Sequence, residues 1–182
     1  MGKANTNFWR GKFSMHLAIT LLTLLASFKW GNWRNWRDYH ASMFFIATFG
    51  LLYEYIVKDY TLWKFHPDFL FGHEMTVIIY ALITMPVSIF LYLSHYPDTR
   101  VSRFIYILIW SGFYIAVEFI LYLSGRISYQ NGWKFGYSFL FDLVMFWVIA
   151  VHQKYPFRAY LMSIIIIVFL ILFFKVPFKF AQ

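Results

Sequence analysis

The chain has 182 residues, of which 61% are hydrophobic, 25% are aromatic and only 13% are charged. A water-soluble surface cannot be built from so few charged residues, so this composition excludes an ordinary soluble domain and predicts an integral membrane protein. The formal net charge of +8 does not indicate a nucleic-acid partner, because the lysines and arginines are spread over several loops and form no single patch. Anchoring to the headgroups of a lipid bilayer is the better interpretation of this charge.

Six apolar runs predict an all-α fold, a polytopic transmembrane helix bundle formed by a single domain over residues 1–182. Crossing the hydrocarbon core takes roughly 17 to 25 apolar residues. The first run is only sixteen residues long, so it either spans with tilt or thinning, or lies in the interface and leaves five spans. The predicted spans are residues 13–28, 41–57, 75–95, 104–124, 135–151 and 159–174.

A tryptophan-rich segment follows the first run. Trp30, Trp33 and Trp36 recur every three residues, and Arg34 and Arg37 directly follow the second and third of them. Indole rings favour the boundary between hydrocarbon and water, where guanidinium groups reach lipid phosphates. This aromatic belt is typical of membrane-interface anchoring, and the alternative is a site for a lipid headgroup or an aromatic ligand.

A proline lies near the centre of the third predicted span. Because Pro86 lacks an amide donor and disturbs the preceding turn, we expect a kink there. Thr84 and Ser88 are close enough in sequence to satisfy the backbone groups that the proline frees.

Three carboxylates fall within predicted spans, where an acid needs a partner, a proton or water. At 1.5 Å per residue, Glu54 and Glu118 are displaced from their helix centres toward the same side of the membrane, and Asp142 lies near the middle of its helix. His16 is displaced to that side too. We therefore expect a shared polar pocket whose ligand-binding residues are His16, Glu54, Tyr114, Glu118, Tyr122 and Asp142.

Three functions are compatible with these acids. The leading hypothesis is a non-enzymatic membrane protein whose pocket binds or moves a small ligand, a cation or a proton. The first alternative is a structural or partner-binding protein whose acids hydrogen-bond neighbouring helices, with Glu54 paired to Lys58 at i+4. The second alternative is a membrane enzyme with a metal near His66, His73 and Glu74, although no recognised metal motif, nucleophile or phosphate-binding loop accompanies them.

Short motifs run through most of the chain, from roughly Trp33 to Ser163: WRNWRDYH, LLYEY, LSHYP, ISYQNGW and YSFLFDLVMF. The most specific positions are Tyr129, Gly132 and Trp133 in one turn, with Glu118 before them and Asp142 after. In these motifs the chain resembles an uncharacterised family of small multi-pass membrane proteins from spore-forming Gram-positive bacteria. The resemblance implies a bacterial plasma membrane and a five- or six-helix layout, and it implies no reaction and no cofactor.

Overall fold

The computed structural model describes residues 14–68 and 70–177, so the predicted start of the first span at residue 13 lies outside the described residues. Within these ranges the chain forms seven α-helices and two three-residue strands. The helices are α1 Met15–Trp30, α2 His40–Ile56, α3 His73–Ile79, α4 Met85–Ser94, α5 Arg100–Leu123, α6 Phe135–His152 and α7 Pro156–Phe173. The strands are β1 Trp63–Phe65 and β2 Ile127–Tyr129.

Four helical segments of the described chain are long and apolar enough to cross a membrane. They are His73–Ser94, Arg100–Leu123, Phe135–His152 and Pro156–Phe173. Helix α1 is apolar but shorter, and α2 has 17 residues. The predicted helical fold class is confirmed, and the four segments identify a membrane protein by length and composition.

The segment His73–Ser94 contains α3 and α4, joined by a π-helical turn at Tyr80–Thr84. The Met85 amide donates to the carbonyl of Tyr80, five residues earlier. Pro86 follows directly in the first turn of α4, so the wider turn takes up the disturbance that a proline causes in a helix. The Thr84 hydroxyl donates to the Ile79 carbonyl at 3.4 Å and the Ser88 hydroxyl to the Met85 carbonyl at 2.8 Å. The predicted kink is therefore a π-bulge.

Helix α4 and helix α6 meet in the core. Tyr92, Phe90, Phe146, Ile89 and Ile149 are fully buried there. The Tyr92 hydroxyl donates to the Phe146 carbonyl at 3.2 Å. Around this centre α2 packs against α4, α5 against α6, α6 against α7, and α1 against α4 and the π-helical turn.

The two strands form a small antiparallel sheet, although the sequence predicted loops at both places. Trp63 pairs with Tyr129 and Phe65 pairs with Ile127. The strands come from different connections, one between α2 and α3 and the other between α5 and α6. The loop prediction was wrong because three alternating residues are too short a pattern to stand out in the sequence. The sheet ties the two connections together at one end of the molecule.

The tryptophan-rich segment forms a 3₁₀-helix, Trp33–Asp38. The helix is interrupted at Asn35, where φ is −114° and ψ is 29°. The Trp33 indole donates to the Ser27 carbonyl at 2.7 Å, and its ring lies 4.7 Å from that of Phe90. All five residues of the predicted belt are exposed: Trp30, Trp33, Arg34, Trp36 and Arg37. Their role as membrane anchors stays a prediction.

Candidate functional site

A cavity of about 550 Å³ lies among α1, α2, the His73–Ser94 segment, α5 and α6. Its volume falls within the range of small-molecule sites. The walls are mainly apolar and aromatic, and the sheet contributes Trp63, Phe65 and Ile127. Four of the predicted pocket residues line this cavity, namely Glu54, Tyr114, Glu118 and Asp142.

Asp142 is the most buried acid of the cavity. It projects from the middle of α6 and is only 6% exposed. Within the described part of the chain, its Oδ2 is buried and has no hydrogen-bond partner. Buried polar atoms in folded proteins are nearly always paired, because an unpaired one forfeits its hydration without compensation. Asp142 lines the cavity, but its Oδ2 has almost no accessible surface, so a ligand in the cavity reaches this oxygen only when the carboxyl group rotates.

Glu118, in contrast, has an oriented carboxyl group. The Tyr129 hydroxyl donates to Glu118 Oε1 at 2.6 Å. The Ser138 hydroxyl on α6 also lies against Glu118 and accepts a hydrogen bond from the Trp133 indole at 2.9 Å. The Glu118 and Asp142 groups are near enough to repel each other when both are ionised.

Glu54 lies in the last turn of α2 and is half-buried. The basic side chains nearest to it in charge terms are those of His73, at the start of α3, and Lys64, on β1. Helix α2 ends at Ile56, so Lys58 lies beyond the helical face that carries Glu54. The i+4 geometry on which a Glu54–Lys58 pair depends therefore does not continue to Lys58.

His16 does not line the cavity. Its ring is buried behind the wall, with Nε2 3.0 Å from the His66 carbonyl and Nδ1 3.3 Å from the Tyr80 hydroxyl. Tyr80 and Phe65, which do line the cavity, lie edge-on to the imidazole ring. Both ring nitrogens are therefore used to hold α1 against its neighbours.

Tyr122 is also placed outside the cavity. Its side chain is 47% exposed and stacks on Tyr129 at 5.2 Å between ring centroids. Helix α5 ends at Leu123, so Tyr122 lies in its last turn, outside the cavity wall. Earlier in α5, Tyr114 hydrogen-bonds Ser88 on α4. The buried Ser111 hydroxyl has no partner among the described residues.

Aromatic side chains of the wall were missed by the sequence analysis. They include Tyr53, Trp63, Phe65, Tyr80, Trp110, Phe113 and Trp133. The alternation of Trp63, Lys64 and Phe65 was the available signal, because it places both rings on one side of a strand. Aromatic rings are so frequent in this chain that no single one stands out.

Two histidines hold the sheet in place, His66 in the connection before α3 and His73 at the start of α3. His66 Nε2 lies 2.7 Å from the Ser128 hydroxyl, and His73 Nδ1 lies 2.9 Å from the Phe65 carbonyl. Glu74 is exposed in the first turn of α3. Over residues 14–68 and 70–177, no three His, Asp or Glu residues are grouped so that they could share a metal ion.

Asp68 fixes this connection to the start of α1. Its carboxylate accepts hydrogen bonds from the Ser14 hydroxyl at 2.6 Å and the His16 amide at 3.1 Å, and from the amides of Leu70 and Phe71. Burial, the largest influence, raises the pKa of Asp68, but these hydrogen bonds together outweigh it, and the pKa is lowered. The pKa of His66 is lowered mainly by burial and further by nearby positive groups.

Neither a family model, nor a curated protein, nor a solved structure matches the chain. The resemblance to a family of bacterial multi-pass membrane proteins therefore stays a prediction. Function has to be argued from the geometry of the cavity.

Proposed function

We propose that the chain is a six-span protein of a bacterial plasma membrane that binds or moves a small ligand, a cation or a proton in its acidic cavity. The observation that carries the proposal is the buried Oδ2 of Asp142, which lacks a partner within the described chain and lies in the wall of the cavity. A ligand that donates a hydrogen bond or carries positive charge compensates this atom when the carboxyl group rotates toward the cavity.

The arrangement around Asp142 favours a ligand role. Glu54 and Glu118 line the same cavity, and none of the described lining residues is Lys, Arg or His. The cavity wall is thus negative whenever its acids are ionised, and a cation inside lowers the electrostatic free energy. An acid whose only task is to join helices is expected to have its partner in place.

One observation favours the structural alternative. Glu118 accepts a hydrogen bond from Tyr129 and lies against Ser138, so it links α5 to the sheet and to α6. Interhelical hydrogen bonds of this kind are common in membrane proteins and individually modest. On this alternative Asp142 would have the same structural task, and no ligand would bind.

The test is a binding screen on the protein in lipid nanodiscs, with inorganic cations, alkyl alcohols and alkylamines as probes over a range of pH. We expect at least one class to raise the melting temperature of the wild type and to lose its effect in Asp142→Asn. The control is Asp98→Asn, because Asp98 is exposed in the connection between α4 and α5. If no probe binds and Asp142→Asn changes only stability, the structural alternative is correct and the proposal fails.

A further inference from the structure

We infer that the ligand of the cavity is a protonated alkylamine, with an N–H donor head and an apolar tail, and that it reaches the cavity sideways from the lipid. This inference rests on the proposed function, because it names the ligand class of the same site. It uses three features of the cavity: the free oxygen of Asp142, the character of the walls and the position of the mouth.

The head group follows from Asp142. As a carboxylate, Asp142 has a buried Oδ2 that is an acceptor without a donor among the described residues. When the carboxyl group rotates toward the cavity, an ammonium N–H supplies both the donor and the opposite charge. A quaternary ammonium carries the charge but has no N–H, so it leaves the oxygen unpaired. An alcohol donates a hydrogen bond but brings no charge to a cavity that also contains Glu54 and Glu118.

The apolar tail of the ligand is inferred from the other residues that line the cavity. Apart from the acids and a few hydroxyl groups, the cavity is lined by aliphatic and aromatic side chains, among them Trp63, Trp110 and Phe113. A bare metal ion gains nothing from apolar walls, whereas an alkyl chain is transferred from water into them favourably. Indole faces near the acids also attract an ammonium group.

The mouth lies between α1 and α5. Leu22 and Trp30 on α1 and Phe113 on α5 line the cavity, yet they are 65%, 56% and 59% exposed. Leu22 and Phe113 are near the middles of their helices, where apolar exposed side chains of a membrane protein meet hydrocarbon.

The sheet end of the cavity is more deeply buried than the side between α1 and α5. Ile127 and Trp133 line it there and are each only 5% exposed. A water-soluble ligand would need an opening at such an end. An amphiphile that has partitioned into the bilayer finds the opening between α1 and α5.

The head group is tested with three probes of equal chain length: octylammonium, octyltrimethylammonium and octanol. Binding to the protein in zwitterionic nanodiscs is followed by quenching of tryptophan fluorescence, with empty nanodiscs subtracted for partitioning. We expect octylammonium to bind at least tenfold more tightly than either other probe. We expect Asp142→Asn to lose at least tenfold in octylammonium affinity and Asp98→Asn to lose none.

The route is tested with a matched pair of variants on α1. Leu22→Trp adds bulk at the mouth, whereas Leu25→Trp adds it at a residue that is 64% exposed and does not line the cavity. In stopped-flow measurements we expect Leu22→Trp to slow octylammonium association severalfold and Leu25→Trp to leave the rate unchanged. Equal rates in the two variants would refute the lateral route.

The outcomes for ligand class separate this inference from the proposed function. If an inorganic cation binds in a manner that depends on Asp142 and octylammonium does not, the inference is wrong and the proposed function stands. Equal affinities for octanol and octylammonium would also overturn the inference. If no probe of any class binds, both fail.

Discussion

Tyr129 donates its hydroxyl proton to Glu118 across 2.6 Å, which joins the small sheet to a wall of the cavity. Tyr129 is also paired with Trp63 across the sheet, and Trp63 lines the same cavity. One hydrogen bond therefore orients an acid of the candidate site and fixes the sheet that lines one end of it.

Removing this hydroxyl tests how much the bond contributes. Tyr129→Phe leaves a half-buried carboxyl group without its donor, and we expect a loss of about 1 to 3 kcal/mol in the free energy of unfolding. The measurement is unfolding of the detergent-solubilised protein by SDS. Tyr122→Phe is the control, because Tyr122 stacks on the same ring from an exposed position. Equal losses in the two variants would show that the Glu118 bond contributes nothing beyond ring packing.

A second prediction concerns the close approach of α1 and α4 at Gly31. A Cβ atom at Gly31 would lie 2.5 Å from the Ser27 carbonyl oxygen and closer still to the ring of Phe90. Because Phe90 is fully buried, it cannot move aside cheaply, and we expect Gly31→Ala to cost about 1 to 3 kcal/mol by overpacking. Thermal unfolding in detergent measures the difference.

The matched control for Gly31 is Gly112→Ala in helix α5. A Cβ atom at Gly112 meets nothing within 4 Å, so this change is expected to be neutral or to gain up to about 1 kcal/mol from helix propensity. Equal melting temperatures for Gly31→Ala and the wild type would contradict the packing argument.

The sequence predicted best how far along its helix axis each acid lies. This position depends only on the rise per residue, and it grouped Glu54 with Glu118, which the structure places in one cavity with Asp142. The helix face on which a residue lies predicts less well which residues it contacts. His16 and Tyr122 were also predicted to line the pocket, but Tyr80 and Phe65 pack against the His16 ring, and Tyr122 lies where α5 ends.

The sheet could not be predicted for a different physical reason. The partners Trp63 and Tyr129 are far apart in sequence, and each strand has only three residues. Their pairing depends on how α2, α3, α5 and α6 bring two connections together, so no local pattern carries it. The position of the π-bulge was predicted but its type was not, because Pro86 indicates only that the helix is disturbed there.

A third prediction concerns the junction between α2 and the end of α6. The buried Ser42 hydroxyl donates to Gln153 Oε1 at 2.9 Å and lies 2.8 Å from His152 Nδ1. A hydroxyl has one proton, so His152 is the donor of the second bond. Ser42 is thus a structural link and not an activated nucleophile.

We expect Ser42→Ala to cost about 1 to 3 kcal/mol, because it leaves the buried His152 and the half-buried Gln153 without this partner. SDS unfolding measures the change. Ser124→Ala is the control, since Ser124 is exposed and bonds only carbonyls of its own helix. A loss no larger than that of Ser124→Ala would show that His152 and Gln153 find other partners.

The last prediction concerns pH and the attachment of the sheet to α1. The pKa of His66 is lowered by burial and by the nearby Lys64, His73 and Arg126, so the folded state resists the proton that an unfolded histidine takes up. The stabilisation is complete above the unfolded pKa, about 6.5, and declines as the pH falls through that value. Asp68 has a lowered pKa as well, and its contribution is lost only as the pH falls below about 3.9.

Between pH 7.5 and 5.5, we therefore expect the stabilisation from His66 to decline, so that the wild type loses melting temperature relative to His66→Gln over this range. The glutamine amide can still reach the Ser128 hydroxyl, with which His66 pairs, but it does not titrate. His95→Gln is the control, because His95 is an exposed histidine at the end of α4. An unchanged pH dependence in His66→Gln would assign the effect to another group. Protection of the β1 amides from hydrogen exchange should fall over the same pH range, since loosening at His66 releases β1 from β2 before the helices separate.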